Sequence, residues 1–378
     1  MKTRPSLSYT LALSGLILAL NIAGCMAPNE PKVASQESPS SALDEPEVSW
    51  SFDAGEPMDE GSPPRSPDGA VESRERSEDS QESGKDNTWW EACPIDGLEE
   101  RLMNVGDVTL NVACRGSGPT IVFLHGFPEF HYGWHQVMNE LATDYRLVAP
   151  DQRGYNLSDK PADIEAYELP KLAMDIVQLL PLVSEEPVIL VAHDWGGPVG
   201  WMVAHTPDAH LRGFVSTNGP HPVRFSNLIA NDPAQKEASS YMEVFKAETA
   251  ELFLTVESLS AMLADVLDED TLSLYIDAWE QPGAVTGGLN WYRANSLEPA
   301  EVEKVMSPLS PTIPVPVVVM WGEADEFVLS SNADELEPFA PELEVFLYPD
   351  VDHWIAHRIP KEVATILRNI DQKTGGNR

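Results

Sequence analysis

Residues 188–191, Val-Ile-Leu-Val, lead straight into Ala192-His193-Asp194-Trp195-Gly196-Gly197. A short run that is apolar at every position reads as a buried strand. Small residues two before and two after Asp194 then read as a sharp strand–turn–helix elbow, because the helix must pack hard against the strand it leaves. Such an elbow lifts its central side chain to the carboxyl end of a sheet, where it can act as a nucleophile. Here that side chain is a carboxylate. An ionised aspartate needs no base to attack. It can open a strained ring or displace a halide at an sp3 carbon, leaving an ester of its own carboxyl group. A second step must then hydrolyse that ester. Taken alone, an Asp at this place would be a helix cap. The strand before it and the motifs elsewhere in the chain argue for the elbow.

The strand pattern recurs. Residues 108–113 alternate with period two, and 120–124, 146–149, 214–217, 315–321 and 343–348 are further strand-like runs, several of them continuously apolar. Runs buried on both faces and separated by helical stretches predict an α/β fold, a mainly parallel sheet with helices on both faces. In such sheets the site lies beyond the carboxyl ends of the strands. Residues 222–306 break the rhythm and read as helices, with apolar residues at three- and four-residue spacing over 250–267. A helical insert between two strands suits a lid. The expected organisation is a core in two parts, 93–221 and 307–372, around a lid at 222–306.

The N-terminus reads as a targeting segment. Met1-Lys2-Thr3-Arg4 is basic, an apolar run extends over about 11–22, and Ile22-Ala23-Gly24-Cys25 closes it. The run is short for a membrane span. It resembles a bacterial lipoprotein signal over 1–24, with Cys25 as the lipid-attachment site. The implied location is the cell envelope, anchored on the extracytoplasmic side of a bacterial membrane. Residues 25–92 are rich in Pro, Ser, Glu and Asp, a composition that cannot bury enough apolar surface to order itself. As a flexible tether of about 65 residues this stretch has a mean reach of about 45 Å. Outside the cytoplasm disulfides persist, so Cys93 and Cys114 are expected to pair.

With 61 Asp+Glu against 24 Lys+Arg, the formal charge is -37. Nucleic acid and anionic headgroups would be repelled, and an anionic substrate is disfavoured; a neutral small molecule feels no such field. The nine histidines show no metal-ligand spacing, and no cofactor is expected.

Three further motifs sit at strand ends. His125-Gly126-Phe127-Pro128-Glu129 follows the third strand, and its turn can aim the Phe127 N–H into the site. With the N–H of Trp195 this makes an oxyanion hole. His125 reads as structural. Asp151-Gln152-Arg153-Gly154-Tyr155, after the fourth strand, reads as a scaffold loop. A base is expected late in the chain: His353, with His357 the competitor one helical turn on. The orienting acid is Asp325 in Trp321-Gly322-Glu323-Ala324-Asp325, with Glu323 and Asp352 weaker candidates. A carboxylate there would fix the imidazole tautomer.

Taken in order, the His125–Glu129, Asp151–Tyr155 and His193–Gly197 motifs and His353-Trp354 resemble an epoxide hydrolase of the α/β-hydrolase superfamily, over about 98–370. The resemblance implies an eight-stranded sheet with a helical lid inserted after the sixth strand. It also implies two lid tyrosines that hold the epoxide oxygen, matched by Tyr241 and Tyr292. One departure is Asp352, where relatives usually carry glycine. The implied reaction is ring opening by Asp194 with the two phenols as donors, then hydrolysis of the ester by water activated by His353 and Asp325, releasing a vicinal diol. A haloalkane or haloacid dehalogenase would share the Asp–His–acid logic. Many haloalkane enzymes, however, carry asparagine where this chain has Phe127, and haloacid enzymes tend to carry arginine where it has Trp195. A lipid-anchored binding protein that kept the fold and lost activity is the third reading.

Overall fold

A computed structural model of the chain describes residues 93–375. The expected signal peptide, the lipid site Cys25 and the tether at 25–92 lie outside the described residues.

Eight strands form one sheet: β1 (Glu99–Asn104), β2 (Thr109–Arg115), β3 (Thr120–Leu124), β4 (Arg146–Pro150), β5 (Val188–His193), β6 (Leu211–Thr217), β7 (Val317–Gly322) and β8 (Leu343–Tyr348). Their order is β1-β2-β4-β3-β5-β6-β7-β8. The pairings β1–β2 and β2–β4 are antiparallel, and all others are parallel. Alternate residues of the central strands feed opposite cores. Val122, Leu124, Leu190 and Ala192 face one, and Ile121, Phe123, Ile189 and Val191 face the other. That double burial is why these strands are apolar at every position. Helices α1 (His135–Leu141) and α11 (Pro360–Lys373) cover one face; α2 (Leu169–Val183) and α3 (Gly196–His205) cover the other. The edge strand β1, Glu-Glu-Arg-Leu-Met-Asn, is largely exposed, so it carries no buried-strand signature.

Between β6 and β7 the described chain is helical: α4 (Pro222–Asn231), α5 (Pro233–Ala238), α6 (Tyr241–Lys246), α7 (Val256–Leu263), α8 (Glu269–Trp279), α9 (Ala284–Ala294) and α10 (Pro299–Met306). Proline in the first turn of α4, α5 and α10 costs no hydrogen bond there. The periodic stretch at 250–267 is not one helix. A short 3-10 turn at Ala250–Leu252 is followed by α7, whose start is fixed by a reciprocal cap between Thr255 and Ser258.

The loop after β4 fastens these helices to the core, the scaffold role its polarity predicts. Arg153 pairs with Asp175 on α2 at 2.6 Å, and its carbonyl accepts the Trp291 indole N–H from α9 at 2.9 Å. Gly287 of α9 lies so close that a Cβ there would meet the Gly154 carbonyl oxygen at 2.3 Å. At the other end of the core, Cys93 and Cys114 form a disulfide with Cα atoms 5.6 Å apart, tying the start of the described chain to β2.

Candidate active site

Asp194 stands at the turn from β5 into α3 with φ +48°, the left-handed backbone that lifts its side chain off the strand end. It is buried beside Gly126, where a Cβ would lie 2.3 Å from the Asp194 Cβ. Only glycine allows that approach. It brings the Phe127 N–H to 2.7 Å from Asp194 Oδ1, and the Trp195 N–H is a second backbone donor to the same carboxylate. The two donors expected from sequence therefore converge on one group.

His353 follows β8. Its Nδ1 lies 2.8 Å from Asp325 Oδ2, and its Nε2 lies 3.6 Å from Asp194 Oδ2, an ion-pair distance rather than a hydrogen bond. Asp325, after β7, is itself fully engaged. Its Oδ1 accepts the N–H groups of Phe327 and Val328 at 2.8 and 2.9 Å, and its Oδ2 also accepts Asn218 Nδ2 at 2.6 Å. Asn218 was not singled out in the sequence. It sits at the end of β6 with φ +43°, and its Oδ1 accepts the Gly322 N–H. The available signal was its position, a polar residue at a strand's carboxyl end, like the other site residues.

Burial raises the Asp194 carboxyl, but its contact with the His353 imidazole and the Trp195 N–H outweigh burial and hold it below the usual carboxylate range. Burial lowers the His353 imidazole, yet the Asp325 and Asp194 carboxylates lift it well above its ordinary value. The Asp194 and Asp325 carboxylates thus favour the protonated form of the imidazole that lies between them.

Tyr241, on α6, and Tyr292, on α9, hang over Asp194 with ring centres 6.4 Å apart. Both line a small cavity of about 30 Å³ together with Asp194, Phe127, Met262 and His353. Burial, with Tyr241 and the Asp194 charge adding to it, holds the Tyr292 phenol well above its ordinary value, so it remains a donor. The Trp195 side chain is within hydrogen-bonding reach of that hydroxyl. Asp194 and Tyr241 also line a second, larger cavity of about 350 Å³ that runs outward under α10.

The competing residues are placed elsewhere. His357 Nε2 bonds Glu129 Oε1 at 2.7 Å. Glu323 is exposed. Asp352 turns to Arg358 at 2.9 Å and accepts the Trp354 N–H. His125 accepts the Gln152 N–H at 3.0 Å through Nε2 and serves the turn. Glu129 stood in the His125–Glu129 motif without an assigned role; it is buried and holds His193, His357 and Tyr275. His193 in turn donates to the carbonyl of His353 at 2.9 Å.

The sequence pattern of the alpha/beta hydrolase fold matches residues 119–357. The chain belongs to this family. It is 36% identical over 289 residues to the AB hydrolase superfamily protein YfhM of Bacillus subtilis, covering 72% of this chain and 98% of that one. It is 29% identical over 268 residues to epoxide hydrolase 3 of Xenopus tropicalis, 66% of this chain and 71% of that one. It is 30% identical over 298 residues to a fluoroacetate dehalogenase of a Burkholderia species, 74% of this chain and 97% of that one. Among solved structures, the epoxide hydrolase of Bacillus megaterium in complex with an inhibitor superposes with a TM-score of 0.66 at 29% identity, covering 72% of this chain and all of that one. The homologues and structural neighbours thus support a hydrolase of the epoxide-hydrolase kind within this fold family.

Proposed function

We propose that the chain hydrolyses a neutral epoxide to a vicinal diol through an ester on Asp194. The observation that carries this reading is the pair of lid phenols facing the elbow carboxylate across one small cavity. Tyr241 and Tyr292 donate to the epoxide oxygen while Asp194 attacks the ring carbon from the opposite side. The C–O bond breaks, the oxygen takes a phenolic proton, and the carboxyl becomes an ester. Esterification removes the charge on Asp194 that helped keep His353 protonated, so the imidazolium gives up its proton, and that proton restores the phenol. Neutral His353, oriented by Asp325, then takes a proton from water. The hydroxide attacks the ester carbonyl, and the Phe127 and Trp195 N–H groups receive the charge that develops on the Asp194 oxygen. Collapse breaks the ester C–O bond, the departing alkoxide takes the carboxyl proton, and the diol leaves with Asp194 again a carboxylate. The Cys93–Cys114 disulfide suits an oxidising compartment, which fits a protein anchored outside the cytoplasm through lipid on Cys25.

The fluoroacetate dehalogenase relative supports a second reading, halide displacement by the same carboxylate. Trp195 stands where an arginine would hold a haloacid, and among the described residues no Lys or Arg lines either cavity at Asp194. Incubating the purified chain with styrene oxide and with a bromoalkane, assaying diol and bromide, separates the readings. Diol without bromide supports the epoxide hydrolase, bromide without diol supports the dehalogenase, and neither product supports the non-catalytic binding protein.

A further inference from the structure

The two cavities that meet at Asp194 differ in size and in charge. The inner one, about 30 Å³, holds the reacting groups Asp194, Tyr241, Tyr292 and His353. At about 10–15 Å³ for each water-sized body, it has room for the epoxide ring and the hydrolytic water but not for an arm on that ring. His353 lines this cavity and not the larger one. A bulky group there would displace the water that the second step needs. The outer cavity, about 350 Å³, is of small-ligand size. Its inner wall is apolar and buried, formed by Pro198, Phe225, Met242 and Val302. Its outer lining is exposed and includes Glu301 on α10, while Glu168, at the start of α2, is half-buried. Among the described lining residues there are three carboxylates, Asp194, Glu168 and Glu301, and no Lys, Arg or His. Lys171 lies 3.1 Å from Glu168, but both side chains are nearly half exposed, so solvent screens that pair.

We infer that Glu168 and Glu301 are specificity residues that read the far end of the substrate. The substrate class is a terminal epoxide with one elongated apolar arm whose end is neutral or cationic. This rests on the epoxide reading above. The ring is held at Asp194, the arm runs along the apolar wall, and its end emerges between two carboxylates. An ammonium group there is attracted, and a carboxylate is repelled in a mouth with no cation on its wall. The protein's strongly negative overall charge adds a long-range field of the same sign. Only the two glutamates act at contact range.

The test uses the full chain and three terminal epoxides with arms of equal length, ending in methyl, trimethylammonium or carboxylate, over a ladder of arm lengths. The readout is kcat/KM for diol formation, with the methyl-ended compound normalising each variant. In the parent, the ammonium-over-carboxylate ratio is expected to peak at arm lengths that reach the mouth. In the Glu168→Gln, Glu301→Gln double variant it falls about tenfold at low salt, and the difference shrinks as ionic strength rises. Lys171→Met, which removes the counter-charge, moves the ratio the other way. Equal use of the two charged ends by a parent that turns over the methyl-ended compound overturns this inference and leaves the epoxide reading standing. A ratio that survives the double variant overturns the assignment to these glutamates. No diol from the methyl-ended compound at any arm length sinks the epoxide reading itself.

Discussion

Replacing Asp325 by Asn should stall the reaction at the ester. All four groups that contact the Asp325 carboxylate are donors: the His353 Nδ1–H, the Asn218 amide and the N–H groups of Phe327 and Val328. An amide NH2 therefore faces donors in either orientation. Asn218 cannot flip to help, because its Oδ1 already accepts the Gly322 N–H. The least costly repair moves the imidazole proton to Nε2, so that Nδ1 accepts from the new amide. That tautomer presents N–H, not a lone pair, to the water. The charge lost is also large. Unit charges with centres about 4 Å apart interact by about 4 kcal/mol at an effective dielectric of about 20. At about 1.4 kcal/mol per tenfold, that alone slows the second step about a thousandfold. With the wrong tautomer added, the expected loss in steady-state rate is about 10³–10⁴, in line with the cost of the same change in other hydrolase triads. Ring opening needs Asp194 and the phenols and is expected to be less affected. Rapid-quench assay with excess substrate should show one equivalent consumed quickly, then a slow steady state. A steady-state loss under tenfold, or loss of the initial phase with the steady state, refutes the reasoning.

Tyr241→Phe or Tyr292→Phe removes one donor to the developing alkoxide and should slow ring opening roughly 10–1000-fold, with the double variant nearly inactive toward epoxides; parental rates in the double variant would favour halide chemistry. The second step needs neutral His353, so single-turnover ester hydrolysis should rise with pH through the imidazole pKa of the ester and be lost below it. Because the ester has lost the Asp194 charge that helps raise that pKa, the limb should lie at lower pH than His353 titration in the resting protein, read by NMR; a limb at higher pH contradicts this. On the proposal that Cys25 carries lipid, Cys25→Ser should release the protein from the membrane fraction with its catalysis intact, and an unchanged membrane fraction would assign the anchor elsewhere.

The sheet core was legible because double burial leaves a mark. Every position of residues 188–191 is apolar, and the structure feeds those positions alternately to two cores. The edge strand β1 was not, since a strand exposed along most of its length carries no such pattern. Asp194, His353 and Asp325 were readable as polar residues at strand ends, and Tyr241 and Tyr292 through resemblance to a family. Asn218 met the strand-end criterion but belongs to no recognisable motif. Glu129 acts on His353 only through His193 and a backbone carbonyl, a relation between three loops that no sequence spacing encodes. The helix start at Thr255 was not placed within 250–267, because apolar periodicity continues across a cap. Cavity volumes, and the pairing of Glu168 with Glu301 around one mouth 133 positions apart in the chain, exist only in three dimensions.

The central claim is a covalent ester on Asp194, and trapping it tests that claim most directly. His353→Gln removes the base for the second step while leaving the nucleophile and both phenols. After brief exposure to styrene oxide, digestion and mass spectrometry should find the peptide carrying Asp194 heavier by the mass of the epoxide, at close to one equivalent per chain. An adduct on a different peptide, or full diol production by this variant with no adduct, would contradict the account.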